Sequence, residues 1–378
     1  MWQTKGIARN IDIPIIAPYS QRRSIVNWLY PRVIRSIKDE REKYKFAGIS
    51  SLEEVNTNYP IIYKISPDAL SEIREGDILR LCPDGTIQKV FEFISDQNVL
   101  FITERCNSQC IMCPQPQAPY DYSDDAMKIL QCIPKKALRK ICLSGGEPTL
   151  GEKIFDILKK LNNFSNVEPI ILTNGRKFSD KEFTKTFIKN APFNMVYAIP
   201  LYSSVPSIHD DIVGVRGAFR ETISGIYNLT RFRVPIEIRV VMIKQNAFNL
   251  PALAEFIGWN LPMAVHVAFM GMEVYGRACS NSSNIWIEPL EYMKSLAKAV
   301  KILDYRNINV SIYNLPVCLL SNNLRKYNQF SISKWKQGYI EQCKECLMKK
   351  SCNGFFTTSE IIPRGIHPII NKCEDILC

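Results

Sequence analysis

Three cysteines stand in one short stretch, Thr103-Glu-Arg-Cys106-Asn-Ser-Gln-Cys110-Ile-Met-Cys113-Pro114. Their spacing lets three thiolates wrap one loop around a single metal centre. Three protein ligands leave a coordination position open, and an open position means chemistry rather than scaffolding. No histidine stands nearby to complete a zinc site. An iron–sulfur cluster normally takes four cysteines, so a cluster held by three leaves one iron free to bind a small molecule. A second group follows downstream at Cys318, Cys343, Cys346 and Cys352. Four thiolates can close a further cluster completely, and the same spacing permits a four-cysteine structural zinc. Cys373 and Cys378 are alternatives to Cys318 as the fourth ligand.

Other side chains suited to chemistry stand in short segments that each follow an apolar run. Ser144-Gly145-Gly146-Glu147-Pro148 pairs two glycines, which let a ligand approach the backbone, with a carboxylate that can hold an ammonium group. Thr173-Asn174-Gly175 reads first as a turn. Ser203 is a polar group at the end of another run, and Arg239 carries a guanidinium suited to a carboxylate. His209 could act as a general base, although a histidine so placed is more often a structural hydrogen-bonding residue.

The elements that must position these groups are legible in the pattern. From residue 98 onward, apolar strands at 99–103, 140–144, 170–173, 195–201, 237–242 and 264–270 alternate with helices at 154–161, 219–229 and 250–259. This alternation implies a parallel sheet. Six repeats suit an open β/α barrel, whose chemistry gathers at the C-terminal ends of the strands. A helix at 290–303 leads to one more strand at 309–313. Residues 1–96 read as a small β-rich accessory domain with one helix at 31–46, 97–313 as the barrel, and 314–378 as a cysteine-rich domain built around a metal site. The expected fold is therefore α/β: a partial (β/α)6 TIM-like barrel with additions at both ends.

The bulk numbers narrow the classes. The chain has 378 residues, 46% of them hydrophobic, enough for a sizeable core. No apolar run is long enough for a membrane helix, and no signal peptide is recognisable, so a cytoplasmic location is expected. Thirteen cysteines in a reducing compartment point to metals rather than disulfides. The net charge of +11 could suit nucleic acid or other anions, but the lysines are spread out and no long run of like charge occurs, so a nucleic-acid partner is not expected.

CNSQCIMC, together with SGGEPTL one strand later, resembles the signature of the radical S-adenosylmethionine (radical SAM) superfamily. The resemblance implies a [4Fe–4S] cluster on Cys106, Cys110 and Cys113, with S-adenosylmethionine chelating the fourth iron and yielding a 5′-deoxyadenosyl radical. It also implies cofactor contacts from Gly145, Gly146, Glu147 (to the methionine amino group), Asn174, Ser203 and Arg239, and backbone contact with adenine at 270–273. Met112 stands where the superfamily usually has an aromatic residue near the adenine. The downstream cysteines resemble the auxiliary-cluster domains called SPASM and Twitch, and imply one auxiliary [4Fe–4S] cluster on Cys318, Cys343, Cys346 and Cys352. Residues 98–356 are most similar to the C-type radical maturase of the His-Xaa-Ser system, through TERCNSQCIMCPQP, SGGEPTL, IHDDIVGVRGAF, FMGMEVYGRA and SISKWKQGY ahead of CKECLMKKSCNGFF. That similarity implies modification of a ribosomally made precursor peptide, alongside a second radical maturase, a small accessory protein and an electron donor such as flavodoxin or ferredoxin. Two alternatives stand beside it: a radical enzyme acting on a nucleotide-derived small molecule or RNA, and a non-catalytic iron–sulfur or zinc redox sensor.

Overall fold

The computed structural model describes residues 2–20, 32–35, 46–55, 57–95, 98–115, 117–134, 138 and 140–370. The chain divides into two compact units: 1–102 with 121–144 and 151–169, and 103–120 with 145–150 and 170–378.

The first unit begins with eight short strands: β1 (Gln3–Lys5), β2 (Ile7–Arg9), β3 (Ile15–Ser20), β4 (Arg32–Arg35), β5 (Phe46–Ile49), β6 (Ile61–Tyr63), β7 (Ile78–Leu81) and β8 (Thr86–Phe91). They form one sheet in the order β1-β8-β7-β3-β4-β5-β6-β2. Its two end strands are consecutive in the chain, with only Gly6 between them, so the sheet curls round and its two ends meet at Gly6. Ala17, Tyr19, Val33, Ile49, Ile62, Leu79, Leu81 and Ile87 fill the interior, joined by Leu70 from the short helix α1 (Pro67–Ser71). The β-rich expectation holds here. The helix expected over 31–46 does not hold at Arg32–Arg35, which pairs in parallel with both β3 and β5. Val33 is fully buried, and its place in the packed core overrides the local helical pattern. The remainder of that expected helix lies outside the described residues.

The same unit carries β9 (Asn98–Phe101) and β10 (Lys140–Ser144), which run parallel with Ser144 opposite Phe101. The helices α2 (Ser123–Cys132) and α3 (Ile154–Leu161) belong to it as well. In α3, Ile154, Ile157, Leu158 and Leu161 form the buried stripe that helical periodicity demands.

The second unit carries β11 (Glu168–Leu172, from Ile170 onward), β12 (Val196–Pro200), β13 (Ile236–Val241), β14 (Ala264–Met270) and β15 (Asn309–Tyr313). Each is parallel to the next. Between and after them come α4 (Lys181–Asn190), α5 (Pro206–Val213), α6 (Ala218–Thr230), α7 (Leu250–Asn260), α8 (Arg277–Ser280), α9 (Ser282–Ile285) and α10 (Pro289–Tyr305). Local chemistry sets their ends. Asp180 caps α4 by accepting from the amides of Glu182 and Phe183 at 2.9 and 3.1 Å. A reciprocal Glu288–Glu291 box and Pro289 start α10. On β13, Ile236, Ile238 and Val240 are fully buried on one face, while Glu237, Arg239 and Val241 alternate onto the other. A short helix, α11 (Asn322–Arg325), and a two-stranded ribbon, β16 (Gln337–Gly338) with β17 (Phe355–Phe356), follow in the tail.

Parallel strands alternating with helices after a β-rich start are the α/β fold expected, with seven such strands among the described residues, including the one anticipated at 309–313. Strand limits differ from expectation by a residue or two, the usual uncertainty of element ends.

Candidate functional site

Among the described residues, every one singled out for cofactor chemistry falls in the second unit. The cysteine loop is built from backbone contacts. The amides of Gln109 and Ile111 donate to the carbonyls of Val213 and Ile212 at 2.8 and 3.0 Å, so the end of α5 holds the middle of the loop. The Arg277 amide donates to the Cys113 carbonyl at 3.0 Å, and Asn281 Nδ2 donates to the Ile111 carbonyl at 2.8 Å. The segments 208–219 and 269–278 thus have a structural role: they cradle the cysteines.

The three thiols are half-buried and lie within electrostatic range of one another. Burial, reinforced by the neighbouring thiols, pushes Cys106 up to about 11 and Cys110 up to about 12. Burial likewise raises Cys113. Thiolates held here would need a cation beside them, which an iron–sulfur core on Cys106, Cys110 and Cys113 would supply. The Ser108 amide already points at Cys106 Sγ over 3.4 Å, the kind of N–H···S contact that supports a cluster ligand. Beneath the loop, Met112 packs with Tyr202, Ile212, Val213, Ala218, Ile243, Ala278 and Ile285. This apolar floor limits water at the site.

Gly145 and Gly146 have a different neighbour from the one expected. A Cβ on Gly145 would lie 2.4 Å from the Thr103 carbonyl oxygen, and one on Gly146 would lie 2.5 Å from that of Arg105. The amides of Gly146 and Glu147 donate to the carbonyls of Thr103 and Arg105 at 2.7 and 2.8 Å. The glycines let two loops dock backbone to backbone, which fixes the start of the cysteine loop.

Glu147 is completely buried. Its Oε1 accepts from the Thr149 amide (3.1 Å), Thr149 Oγ1 (2.7 Å) and Thr173 Oγ1 (2.7 Å), and its Oε2 from the Asn174 amide (2.7 Å). Burial raises its pKa despite those donors. The carboxylate expected to meet an ammonium group is instead a brace between the GGEP loop and the loop after β11.

Asn174 is brought to the cysteines. Its Nδ2 donates to Asn107 Oδ1 at 2.6 Å and to Ser108 Oγ at 3.2 Å. Ser203 is buried, and its Oγ accepts from the Val205 amide at 3.0 Å at the entry to α5. Arg239 ion-pairs through Nε with Glu237 at 2.6 Å. Glu237 also bonds His266 Nδ1 at 2.9 Å, and His266 Nε2 meets Ser311 Oγ at 2.9 Å. Burial pushes Glu237 up, but the bonds to His266 and Arg239 outweigh it and hold the carboxyl below its ordinary range. His209 is structural: its Nδ1 accepts from the Tyr202 amide at 3.2 Å, its ring stacks on Tyr202, and burial lowers it to about 4.

Sequence reasoning missed Arg176. Its Nη1 donates to the Asn107 carbonyl and, at 3.1 Å, to Ser108 Oγ, while its Nε holds Glu221 at 2.6 Å. A nearly buried guanidinium thus stands against the cysteine loop and lowers the Cys106 pKa in part. The available signal was an arginine directly after an Asn-Gly turn at a strand end.

The tail cysteines converge. Cys318, Cys343, Cys346 and Cys352 all line one cavity, with Val317, Tyr339 and Ile369 among its walls. The amides of Val317 and Gly354 donate to Cys352 Sγ at 3.4 and 3.3 Å, and that of Ile369 donates to Cys346 Sγ at 3.3 Å. Burial pushes Cys318 up to about 11 and raises Cys352. Sulfurs ringing a cavity, with amides aimed at them, fit a cluster. Among the described residues, no three of Cys, His, Asp and Glu come close enough to share a single metal ion. Cys373 and Cys378 lie outside the described residues.

Residues 100–257 match the family model of the radical SAM superfamily. They are a radical SAM domain. The chain is 26% identical over 269 residues to a GTP 3′,8-cyclase of Petrotoga mobilis, covering 67% of this chain and 77% of that protein. It is 25% identical over 157 residues to pre-heme d1 synthase of Dinoroseobacter shibae, covering 40% and 38%. Among solved structures, Streptococcus suis SuiB bound to its precursor peptide SuiA superposes with a TM-score of 0.49 at 15% identity, over 68% of this chain and 56% of that one. No helix among the described residues is long and apolar enough to cross a membrane.

Proposed function

We propose that the chain is a radical SAM enzyme that cleaves S-adenosylmethionine reductively and abstracts hydrogen from a ribosomally made precursor peptide of the His-Xaa-Ser type. The observation that carries the radical SAM part is the docking of the GGEP loop on the three-cysteine loop by two backbone hydrogen bonds, with Asn174 closing the third side. When bound, the cluster and S-adenosylmethionine supply a 5′-deoxyadenosyl radical; the protein supplies binding and orientation. Cys106, Cys110 and Cys113 hold the cluster, and Arg176 beside Cys106 offsets thiolate charge. With the Glu147 side chain buried, the half-exposed backbone at Gly145 and Gly146 is what the GGEP loop offers the cofactor's ammonium group. Arg239, Ser203 and Asn174 are the side chains for its carboxylate and ribose. In the tail, Cys318, Cys343, Cys346 and Cys352 hold an auxiliary [4Fe–4S] cluster.

The curated relatives' names favour a second reading, a nucleotide substrate. The peptide reading rests on the resemblance of residues 98–356 to the His-Xaa-Ser maturase. Arg176 and Arg239 are each already paired with an acid, Glu221 and Glu237, whereas a triphosphate calls for cations it can claim for itself; Arg277, whose charge acts on Cys110 and Cys113, is the cation the nucleotide reading would use. A second maturase, a small accessory protein and a flavodoxin or ferredoxin belong to the same proposal.

The test is anoxic incubation with S-adenosylmethionine and dithionite. Formation of 5′-deoxyadenosine supports the radical SAM reading and its absence from iron-loaded protein refutes it. Acceleration by a His-Xaa-Ser peptide and not by GTP supports the peptide; the reverse replaces it with the nucleotide.

A further inference from the structure

Two stretches singled out by sequence, 269–278 and 331–339, meet at Glu273. Lys336 Nζ bonds both of its oxygens, at 2.8 and 3.2 Å, and Thr358 Oγ1 donates to Oε1 at 2.5 Å. The next residue is tied to the tail by its backbone. The Val274 amide donates to Ser359 Oγ at 3.1 Å, and its carbonyl accepts from the Glu360 amide at 3.0 Å. The chain then turns at Gly276, with φ of +62°, where a Cβ would lie 2.7 Å from the Pro114 carbonyl oxygen and 3.0 Å from that of Cys113. Immediately beyond, the Arg277 amide holds the Cys113 carbonyl at 3.0 Å and Asn281 holds Ile111 at 2.8 Å. At the other end, Lys336 directly precedes β16, whose Gly338 lines the four-cysteine cavity together with Gly354 and Phe355.

A continuous strap therefore runs from the tail cavity to the cysteine loop, and its buckle is an ion pair between side chains only 13% and 25% exposed. We propose that Glu273 is a positioning residue for Cys113: its clasp on Lys336 and Thr358 ties the cysteine loop to the fold around the tail thiols, and a filled tail cavity holds that loop in its working geometry. The inference rests on the reading that both groups of thiols carry clusters, and it adds that the second governs the order of the first.

The test uses the full chain, reconstituted without oxygen, and reads hydrogen exchange across 276–281. Glu273→Gln and Lys336→Met each raise exchange there about tenfold, the scale of losing a hydrogen-bonded charge pair. Cys352→Ala, in the tail cavity, raises it as well. Affinity for S-adenosylmethionine falls about tenfold in Glu273→Gln. Exchanging the charges, Glu273→Lys with Lys336→Glu, restores both readings, which a merely structural loss at either position would not allow. Unchanged exchange in Cys352→Ala, or no recovery in the exchanged pair, overturns the proposal. Wild-type protein that takes up no iron overturns the cluster reading itself, a result seen before any variant is compared.

Discussion

Arg176 donates from Nη1 to the hydroxyl of Ser108 over 3.1 Å, inside the span between Cys106 and Cys110. The same guanidinium is anchored on Glu221 of α6, so a helix one strand further along the chain than Arg176 steadies the three-cysteine loop from the side. Five donors in a rigid fork suit this task, because one group can serve a carbonyl, a hydroxyl and a carboxylate at once.

Arg176→Met is expected to destabilise the protein by about 1–3 kcal/mol, since it strips donors from partly buried acceptors. Iron retained after anoxic reconstitution should fall with the thermal midpoint. Arg176→Lys should recover little, because an ammonium cannot reproduce the fork.

Gly146→Ala places a methyl 2.5 Å from one backbone oxygen and 2.6 Å from another. Backbone atoms cannot swing away as a flexible side chain would, so the two loops must part. A loss of about 1–3 kcal/mol in denaturant midpoint and reduced iron uptake are expected. Full iron loading with an unchanged midpoint would show that the glycine serves something other than docking.

His209 has a folded-state pKa of about 4 against an ordinary 6.5, because burial disfavours its charge. The unfolded chain therefore binds more protons between those values. Stability contributed by the neutral ring is complete above pH 6.5 and is lost as pH falls toward about 4, up to about 3 kcal/mol. Urea unfolding at pH 5 and pH 7 should show this slope in wild type and a flatter one in His209→Gln.

Replacing Cys106, Cys110 and Cys113 together with Ala should abolish 5′-deoxyadenosine formation and remove about four irons per chain. Replacing Cys343 and Cys346 should remove about four others. Loss of one zinc in place of iron from the second variant would identify a structural zinc in the tail.

The proposal of Cys106, Cys110 and Cys113 as one ligand set came from the sequence because its information is local. Cys106, Cys110 and Cys113 share one loop, and spacing along a loop decides which thiolates can share a centre. Cys318 is different. It converges with Cys343, Cys346 and Cys352 across a long interval, and only the folded tail shows the four around one cavity. Strand–helix alternation was equally readable, because each period reflects burial of one face.

Roles that depend on a partner from another element were decided by tertiary structure. Glu147 had the right charge for an ammonium, yet the offset between two loops brings Thr173 and Asn174 onto it and buries it. Arg32–Arg35 followed a helical pattern locally, but neighbouring strands claimed its backbone. Arg176 looked like one basic residue among 48 lysines and arginines; the register that sets it against Ser108 is a property of the packed sheet and helices. Composition and spacing determine which groups the chain can offer. The distance between groups far apart in sequence, which fixes who bonds whom, exists only once the strands have paired.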